Sequence, residues 1–366
     1  HGNAIPMPDY PIFFNFVPHG NYTGFDFFTY LYHPIGGSGS DSNIAYVGLF
    51  LIGNDDGMNA GRSRCPANSV GQPVNVTNGN MWLEQSDYSL PGRGDIIEIN
   101  RFYNSMIQSS GLFGFGWSTK YDESIILYGD KGIRLSQPDG RAVFFGRLET
   151  TIPYTSYSPG VVAQITPNAN GTYTLTYKDG QVRTFNSAGR LVSTADRNGN
   201  LTTLSYDTGG RLIGVTDAAG RTLTFTPNIN GTIAQISDSL GTVADYEYYA
   251  NTTLLKSVTK SDGSKFKFEY VNRVINGQTK TYLATVKDAV DNILETHAYD
   301  TLGRATTSEK HGGVEKYTIE YTVQASPGGV GLSTVTDALG RVTKYHYYRF
   351  FGSNIVSKTE GSCSCG

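Results

Sequence analysis

Short segments in which apolar residues alternate with threonine and other polar residues fill much of the second half of this chain. Tyr173–Tyr177 and residues 223–225 each place apolar side chains on one face and threonine on the other. This period of two is typical of half-buried β-strands. Glycine or proline interrupts almost every stretch of a dozen residues, which disfavours helices. The pattern therefore predicts an all-β fold.

A repeated turn motif separates these segments. Between residues 186 and 241, Asp or Asn is followed three residues later by Gly, and the motifs begin ten or eleven residues apart, so that two units make a period of 21. The Asp or Asn side chain bonds to the backbone two residues on, and the glycine accepts a positive φ, as in a type I turn closed by a glycine bulge. A fixed period predicts one repeated supersecondary unit, here a long antiparallel ribbon of β-hairpins.

Four copies of the turn carry the residues to which we assign structural roles. In each copy the aspartate opens the turn, the glycine closes it, and the arginine after the glycine is expected to pair with the aspartate. The assigned positions are Asp207, Gly210, Asp217, Gly220, Asp300, Gly303, Asp337 and Gly340. Between Asp238 and Asp288 the period is blurred, and the motif that starts at Asp288 has no glycine, which predicts longer strands or a loop.

The repeats resemble the YD-repeat of the Rhs family. Residues 206–211 (Tyr-Asp-Thr-Gly-Gly-Arg) and 299–304 (Tyr-Asp-Thr-Leu-Gly-Arg) carry its signature, and residues 73–80, 99–105 and 114–117 look like the segment that precedes the repeats in these proteins. The resemblance implies a hairpin ribbon wound into a shell-like or spiral sheet. In bacterial polymorphic toxins such a shell encloses a C-terminal toxin, and in animal relatives it forms part of an adhesion receptor.

Three segments follow from these patterns. Residues 1–64 are an aromatic-rich N-terminal extension that offers strands for edge pairing, residues 65–150 are a cap segment that precedes the repeats, and residues 151–366 are the YD-repeat ribbon. We expect the cap segment to plug the first edge of the ribbon. Because aromatic side chains bring the largest apolar burial, its buried anchors are predicted to be Trp82, Phe102, Tyr103 and Trp117.

The net charge, the lengths of the apolar runs and the first residue indicate which partners and which cellular location to expect. The formal net charge of −3 is too small to favour nucleic acid or an anionic membrane, and no apolar run approaches the ~20 residues of a membrane-spanning helix. The chain begins at His1 without Met, which favours removal of a signal peptide and a secreted, extracellular or cell-surface location. Residues 361–366 end without a capping element, so we expect the natural gene product to continue.

Three cysteines are too few for a disulfide framework. Cys363 and Cys365 are separated by one residue, and either one can form a disulfide with Cys65. A bridge between Cys363 and Cys365 themselves is strained. A metal site, free thiols and a partner cysteine in another chain remain open.

Catalytic motifs are nearly absent. The six histidines are scattered with no pair at helical spacing, and there is no nucleophile elbow, P-loop or dinucleotide fingerprint. One enzymatic alternative rests on His1-Gly2, which resembles the start of copper-dependent polysaccharide monooxygenases, with His19 or His33 as a second ligand. The rest of the chain matches the repeats instead, so we predict no enzyme, no cofactor and no metal.

The function that we predict is that of a non-enzymatic, secreted structural protein. The chain is short for a closed shell and its strand edges carry few Lys or Pro, so we expect it to self-assemble with other copies of itself into an extracellular filament or surface structure. One alternative is the N-terminal shell fragment of a polymorphic toxin. Another is an adhesin whose aromatic clusters at 10–16, 25–32 and 345–351 stack on a cell-surface glycan or receptor, although such clusters also serve core packing.

Overall fold

The computed structural model of this protein describes residues 68–92, 94–158, 160–324, 329–350 and 353–361, together with the backbone of four strands within the first 51 residues. These residues form strands, turns and two short 3-10 helices, which confirms the predicted all-β class. Cys65, Cys363 and Cys365 lie outside the described residues, and so do His1, His19 and His33.

Two hairpins precede the cap segment. β1 (Gly2–Met7) pairs with β2 (Tyr10–Pro18), and β3 (Gly24–Tyr30) pairs with β4 (Ala45–Leu51). Each hairpin is a separate two-stranded sheet. The addition of these strands to the edge of a neighbouring copy therefore stays a prediction.

The cap segment contains short strands and one 3-10 helix, at Lys120–Asp122. Its strands are β5 (Ser69–Val70), β6 (Val74–Asn75), β7 (Trp82–Leu90), β8 (Ile97–Asn104), β9 (Ser110–Gly111), β10 (Gly114–Phe115) and β11 (Trp117–Ser118). The longest pair, β7 and β8, forms an antiparallel ladder to which β11 adds a third strand.

The ribbon is one antiparallel sheet of 22 strands whose spatial order is the order of the chain. A second 3-10 helix lies at His311–Gly313. The strands are β12 (Ser124–Tyr128), β13 (Gly132–Ser136), β14 (Ala142–Gly146), β15 (Tyr154–Ser156), β16 (Ala163–Pro167), β17 (Tyr173–Tyr177), β18 (Val182–Phe185), β19 (Leu191–Ala195), β20 (Leu201–Tyr206), β21 (Leu212–Thr216), β22 (Thr222–Pro227), β23 (Ile233–Asp238), β24 (Gly241–Tyr248), β25 (Leu255–Lys260), β26 (Lys265–Ile275), β27 (Gln278–Lys287), β28 (Ile293–Tyr299), β29 (Ala305–Lys310), β30 (Val314–Val323), β31 (Val330–Asp337), β32 (Val342–Phe350) and β33 (Ser353–Gly361).

The sheet begins earlier than the sequence pattern suggested. Its first strand starts at Ser124, inside the segment 65–150 that we assigned to the cap, so the sheet does not begin at residue 151. From here on, the name cap segment refers to the part of that segment that precedes Ser124. The turn at residues 137–141 lacks the sequence motif of the repeats because Gln137 occupies the position of the aspartate. The backbone is the same: Gly140 N donates to Gln137 O at 2.9 Å, and Gln137 N donates to Arg141 O at 2.8 Å.

The stretch with a blurred period contains longer strands, one of the two predicted outcomes. β26 has 11 residues and β27 has 10, and they are joined by a tight turn at Asn276 and Gly277. The next turn has Asp291 where other turns have glycine, and Asp291 itself takes a φ of 67°. Aspartate tolerates this left-handed conformation better than most residues, which explains how the motif survives without glycine.

The 21-residue period follows from the alternation of turns. In a meander, successive turns lie at opposite ends of the strands, so every second turn returns to the same rim of the sheet. The turns at 186–190, 207–211, 228–232, 249–254 and 300–304 define one rim, here called the tyrosine rim. The turns at 196–200, 217–221, 238–241, 288–292 and 337–341 define the opposite rim.

The core lies between the cap segment and one face of the ribbon. Trp117 and Tyr103 are 0% and 1% exposed, and Trp117 packs edge-on against Phe268 with ring centroids 5.0 Å apart. Of the four predicted anchors, these two are buried, whereas Trp82 and Phe102 are only half-buried. The reason is the pleat: Phe102 lies between Arg101 and Tyr103, so its side chain points to the other face of β8.

Candidate functional site

The assigned turn residues sit in one common geometry. In the first copy, Gly210 has a φ of 74° and its N–H donates to Asp207 O at 2.9 Å. Asp207 Oδ1 accepts from Arg211 N at 2.8 Å, and its Oδ2 accepts from Arg211 Nε at 2.7 Å. These bonds from the backbone and side chain of Arg211 lower the pKa of Asp207.

The other three copies repeat this arrangement. Gly220, Gly303 and Gly340 have φ values of 80°, 79° and 77°. Each aspartate accepts from the backbone and side chain of the arginine four residues on: Asp217 from Arg221, Asp300 from Arg304, and Asp337 from Arg341. In each turn, both carboxylate oxygens of the aspartate accept hydrogen bonds from the arginine that follows the glycine. These aspartates therefore stabilise the turns themselves.

A ladder of tyrosine hydroxyls runs along the tyrosine rim. Tyr206 Oη donates to Leu191 O at 2.6 Å, which ties the ends of β19 and β20 at the rim where no turn joins them. The same bond recurs from Tyr248 to Ile233, from Tyr270 to Leu255, from Tyr299 to Leu283 and from Tyr321 to Ala305, at 2.6–3.0 Å. In the Tyr-Asp signature, tyrosine therefore closes the open end of one hairpin and aspartate starts the next turn. Strand patterning alone did not reveal this role, although the spacing of the tyrosines is visible in the sequence.

The sheet coils back on its own first strand. The outer edge of β12 is met by the turn before β19: Ile125 N donates to Gly189 O at 2.8 Å, and Ser124 forms an isolated antiparallel bridge with Arg190. Glu123 adds an ion pair to Arg183 of β18 at 3.1 Å. Gly189 is necessary here, because a Cβ at this position would lie 2.1 Å from Ile125 O. We call this contact the coil seam.

The cap segment lies across the buried face of the ribbon instead of plugging only its first edge. Leu112 O accepts from Ile233 N, Phe115 N donates to Thr253 O, and Gly79 O accepts from Ala305 N, all at 2.8–2.9 Å. Further along, Val76 O accepts from Ser333 Oγ at 2.6 Å. Backbone groups of the cap thus form hydrogen bonds with successive hairpins, and the cap contacts many strands at once.

A charged pair is buried where the cap meets the ribbon. Arg101 and Asp87 have fully buried side chains, and Arg101 Nε donates to Asp87 Oδ2 at 2.5 Å. Tyr246 of β24 donates a further bond to the same oxygen at 2.9 Å, and the guanidinium lies 4.8 Å from the ring centroid of Trp117. Burial first, and then the carboxylate of Asp87, raise the pKa of Tyr246. The pair joins β7 and β8 within the cap, and the bond from Tyr246 links it to the ribbon.

Two clefts flank the coil seam. The larger, of about 570 Å³, is lined by Asp122, Glu123, Arg190, Tyr206 and Arg211, among others. The smaller, of about 380 Å³, shares Glu123 and adds Asp95, Glu98, Lys120 and Arg183. The described residues include no group of three or more His, Cys, Asp or Glu placed to hold a metal ion.

The aromatic clusters predicted as glycan-binding sites differ in what the structure describes of them. In the aromatic cluster at 345–351, Tyr347 is 1% exposed and donates to Val323 O at 3.2 Å, so this residue serves packing. The cluster side chains at 10–16 and 25–32 lie outside the described residues. Across the described residues, no helix is both long and apolar enough to cross a membrane.

Comparisons with protein families identify two segments. Residues 71–145 match the profile described as "Domain of unknown function (DUF6531)", and residues 185–222 match the profile described as "RHS Repeat". The first match covers the cap segment and the first hairpins of the ribbon. The second covers the turns that contain Asp207, Gly210 and Asp217.

Curated relatives match over a limited stretch. The tRNA nuclease WapA of Bacillus subtilis (strain 168) is 30% identical over 142 residues, and the tRNA3(Ser)-specific nuclease WapA of Bacillus spizizenii is 33% identical over 142 residues. In both cases the match covers 37% of this chain and 6% of the relative. The chain therefore corresponds to a small part of these much longer proteins.

Two solved structures align with this chain at low sequence identity. A crystal structure of TcdB2-TccC3 aligns with 83% of this chain and 21% of its own length, at 14% identity and a TM-score of 0.30. A Tc holotoxin pore structure from Photorhabdus luminescens aligns with 75% of this chain and 20% of its own, at 12% identity and a TM-score of 0.21.

Proposed function

Since this chain belongs to the Rhs family of YD-repeat proteins, we propose that it is a non-enzymatic structural protein whose ribbon forms the wall of an extracellular β-spiral. The observation that carries the proposal is the coil seam. A flat ribbon leaves the outer edge of β12 open, whereas here that edge bonds to the chain's own turn at Gly189 and Arg190. A sheet that curves back to contact its first strand surrounds an interior space, and the ribbon is then the wall of that space.

The absence of a catalytic role is part of the proposal. The polar groups of the assigned turns bond to one another, and the cap's buried Arg101 and Asp87 are held in a packed core. The relatives are named as tRNA nucleases, and this chain matches 6% of their length. We expect purified chain to leave tRNA intact over hours, and cleavage that scales with chain concentration would contradict this.

Engineered cross-linking tests the coil. Bridged antiparallel residues place their Cα atoms within disulfide range, so the variant Ser124→Cys/Arg190→Cys should form a bond under mild oxidation. Cys65, Cys363 and Cys365 are replaced by serine in all samples so that only the new pair reacts. The control Ser124→Cys/Asn198→Cys, with its second cysteine on the opposite rim, should stay reduced. Equal cross-linking of both pairs, or of neither, would overturn the coiled wall.

Self-assembly is the second candidate, and the last strand favours it. Within the described part of the chain, β33 pairs only with β32, and its residues 357–361 are exposed. Such an edge is a template for another strand. We propose that a second copy supplies that strand and that the contact, being head-to-tail, builds an open filament. In the competing arrangement, further strands of a toxin shell in the same polypeptide cover the edge.

Electron microscopy of the native protein separates these arrangements. Uniform filaments support assembly, and closed isolated capsules contradict it. Removing residues 1–64 should leave a soluble monomer if the N-terminal hairpins supply the added strand.

A matched pair of substitutions tests the edge itself. Ile355→Lys places a charge on β33, where the parent side chain is 37% exposed, and Ile293→Lys places one on the interior strand β28, where the exposure is 38%. Only Ile355→Lys should abolish filaments, because β33 is the last strand of the described 22-stranded sheet whereas β28 is paired on both sides. Filaments that persist in Ile355→Lys would refute edge pairing.

We also propose a secreted or cell-surface location, supported by the family assignment, and other copies of the chain as its main partner. A surface glycan or receptor is the further partner that the N-terminal aromatic clusters suggest. Binding of fluorescent chain to glycan arrays, compared with the variant that lacks residues 1–64, tests that partner. Signals that do not depend on residues 1–64 would contradict it.

A further inference from the structure

The hairpin of β26 and β27 projects beyond the tyrosine rim. In this hairpin Tyr270 makes the ladder bond to Leu255 O, and residues 271–275 of β26 follow before the turn. At about 3.4 Å per residue, these residues extend the hairpin by roughly 17 Å past the ladder. In β24 and β28, by contrast, the ladder tyrosine is the last residue of the strand. We call residues 271–282 the arm.

The arm ends in an asparagine–glycine turn. Ile275 pairs with Gln278, so the loop contains only Asn276 and Gly277, whose φ values are 51° and 76°. Both central residues of a type I′ hairpin turn take a positive φ, and Asn-Gly is a sequence that this turn prefers. Asn276 and Gly277 are exposed, and a Cβ placed on Gly277 would meet nothing within 4 Å. The tip of the arm is therefore open to solvent on all sides of the turn.

An asparagine that precedes glycine can cyclise without an enzyme or a cofactor. The backbone nitrogen of the glycine attacks Cγ of the asparagine, and a five-membered succinimide forms as the side-chain amide leaves as ammonia. Glycine favours this attack because it has no Cβ and restricts the backbone least. The attack requires a glycine N–H that is free of other hydrogen bonds and an asparagine side chain that can rotate.

The sequence contains five Asn-Gly pairs, and four of them are held by hydrogen bonds. Three of the asparagine side chains are fixed because each Oδ1 accepts from the backbone N–H two residues on; these are Asn78, Asn170 and Asn230. In all four pairs the glycine N–H donates to a backbone carbonyl at 2.8–3.0 Å: Gly79 to Asn75, Gly171 to Asn168, Gly199 to Asp196 and Gly231 to Asn228. The nitrogen that would attack is therefore engaged in each of these turns.

The fifth pair, Asn276-Gly277, is not held in this way. Among the residues that the structure describes, none forms a hydrogen bond with Gly277 N or with the side chain of Asn276. We propose that Asn276 is a site of spontaneous deamidation, which converts it to aspartate and isoaspartate. A bond forms between Gly277 N and Asn276 Cγ, the bond from Cγ to the amide nitrogen breaks, and ammonia leaves with the proton of Gly277 N. Water then opens the ring at either carbonyl and yields the two products.

Deamidation would change the charge of the arm and leave the sheet intact. Arg273 and Lys280 are the only Lys, Arg, Asp or Glu residues of the arm, so one new carboxylate lowers its formal charge from +2 to +1. The ladder of β26 with β25 ends at Lys267, and that of β27 with β28 begins at Thr285, so neither neighbouring strand pairs with the arm. The additional backbone carbon of isoaspartate is therefore absorbed locally, and the arm becomes less basic as the protein ages. This inference does not depend on the coil seam.

Peptide mass mapping after incubation of the folded chain in mildly alkaline water enriched in heavy oxygen tests the proposal. Each conversion in this solvent adds one heavy oxygen, so deamidation that occurred earlier is not counted. Because hydrogen bonds must break before the other pairs react, Asn276 should convert about tenfold or more faster than the other four asparagines. The proposal is overturned if another pair converts first, or if Asn276 stays intact while the same chain unfolded in urea converts.

Two controls separate the fold from the local sequence. In urea the turns are lost, so all five pairs should convert at similar rates, and a ranking equal to that of the folded chain would overturn the structural cause. Asn276→Gln keeps the amide but cannot form the five-membered ring, so this variant should accumulate acidic forms on ion exchange far more slowly than the parent. The matched variant Asn170→Gln should acidify as fast as the parent. Equal acidification of the two variants would contradict the assignment to Asn276.

Discussion

Alanine at Gly220 and at Gly303 separates backbone strain from crowding in the turns. The two glycines have nearly the same φ, 80° and 79°. A Cβ at Gly220 meets nothing within 4 Å, whereas a Cβ at Gly303 would lie 2.1 Å from Tyr282 Oη and 2.7 Å from Ile275 Cδ1. Both variants therefore carry the same conformational cost, and only Gly303→Ala has to displace its neighbours.

The expected magnitudes differ enough to measure. A left-handed φ costs a residue with a Cβ about 1–2 kcal/mol, which is the whole loss expected for Gly220→Ala. Crowding in a packed site adds a further cost of about 1–3 kcal/mol. The unfolding free energy of Gly303→Ala should therefore be about 2–5 kcal/mol lower than that of the parent. Tyr282 has little room to move, because it stacks on Tyr299 with centroids 4.7 Å apart and is 3% exposed.

Urea unfolding followed by tryptophan fluorescence measures the loss of unfolding free energy in both variants, since Trp117 is buried between cap and ribbon. Gly220→Val serves as a second strained variant, because a β-branched residue at positive φ should lose at least as much as alanine. Equal losses for Gly220→Ala and Gly303→Ala would refute the crowding at Gly303. Unfolding curves of Gly220→Val that overlay the parent would refute the turn assignment itself.

Two further predictions concern stability. Tyr248→Phe removes the hydroxyl that donates to Ile233 O at 2.9 Å, and should cost about 0.5–1.5 kcal/mol in urea unfolding; no loss would mean that the ladder bonds contribute nothing net. Arg101→Met leaves Asp87 charged and buried, and should cost about 3–5 kcal/mol, whereas Arg101→Met/Asp87→Leu should cost less. A double variant that is as unstable as the sum of its single variants would show that the pair is not coupled.

Much of the ribbon was predictable because local chemistry determines it. The turns of Asp207, Asp217, Asp300 and Asp337 use bonds within five residues, so their sequence contains the whole cause. The first hairpins escaped prediction because Gln137 replaces aspartate while the backbone turn is kept.

The coil seam and the course of the cap segment were not predictable in this way. Gly189 and Ile125 are 64 positions apart, and Val76 and Ser333 are 257 apart, so no periodicity relates them. Burial of Arg101 was equally hidden, because an arginine on a strand is usually exposed. Its position between Ile99 and Tyr103, on the apolar face of β8, was the one available signal.

The sequential order of the sheet has a consequence for the way the protein folds. Every strand from β12 to β33 pairs with its immediate neighbours in the chain, so we expect each hairpin to form as soon as both of its strands have been synthesised. The cap segment precedes all of them and offers backbone groups to strands as distant as β33, where Asn354 Nδ2 donates to Thr77 O at 3.2 Å. We therefore expect it to act as a template on which the hairpins dock in the order of the chain. Because each 21-residue unit is a pair of strands with its own turns, we expect that whole units can be gained or lost in evolution while the remaining strands keep their pairing.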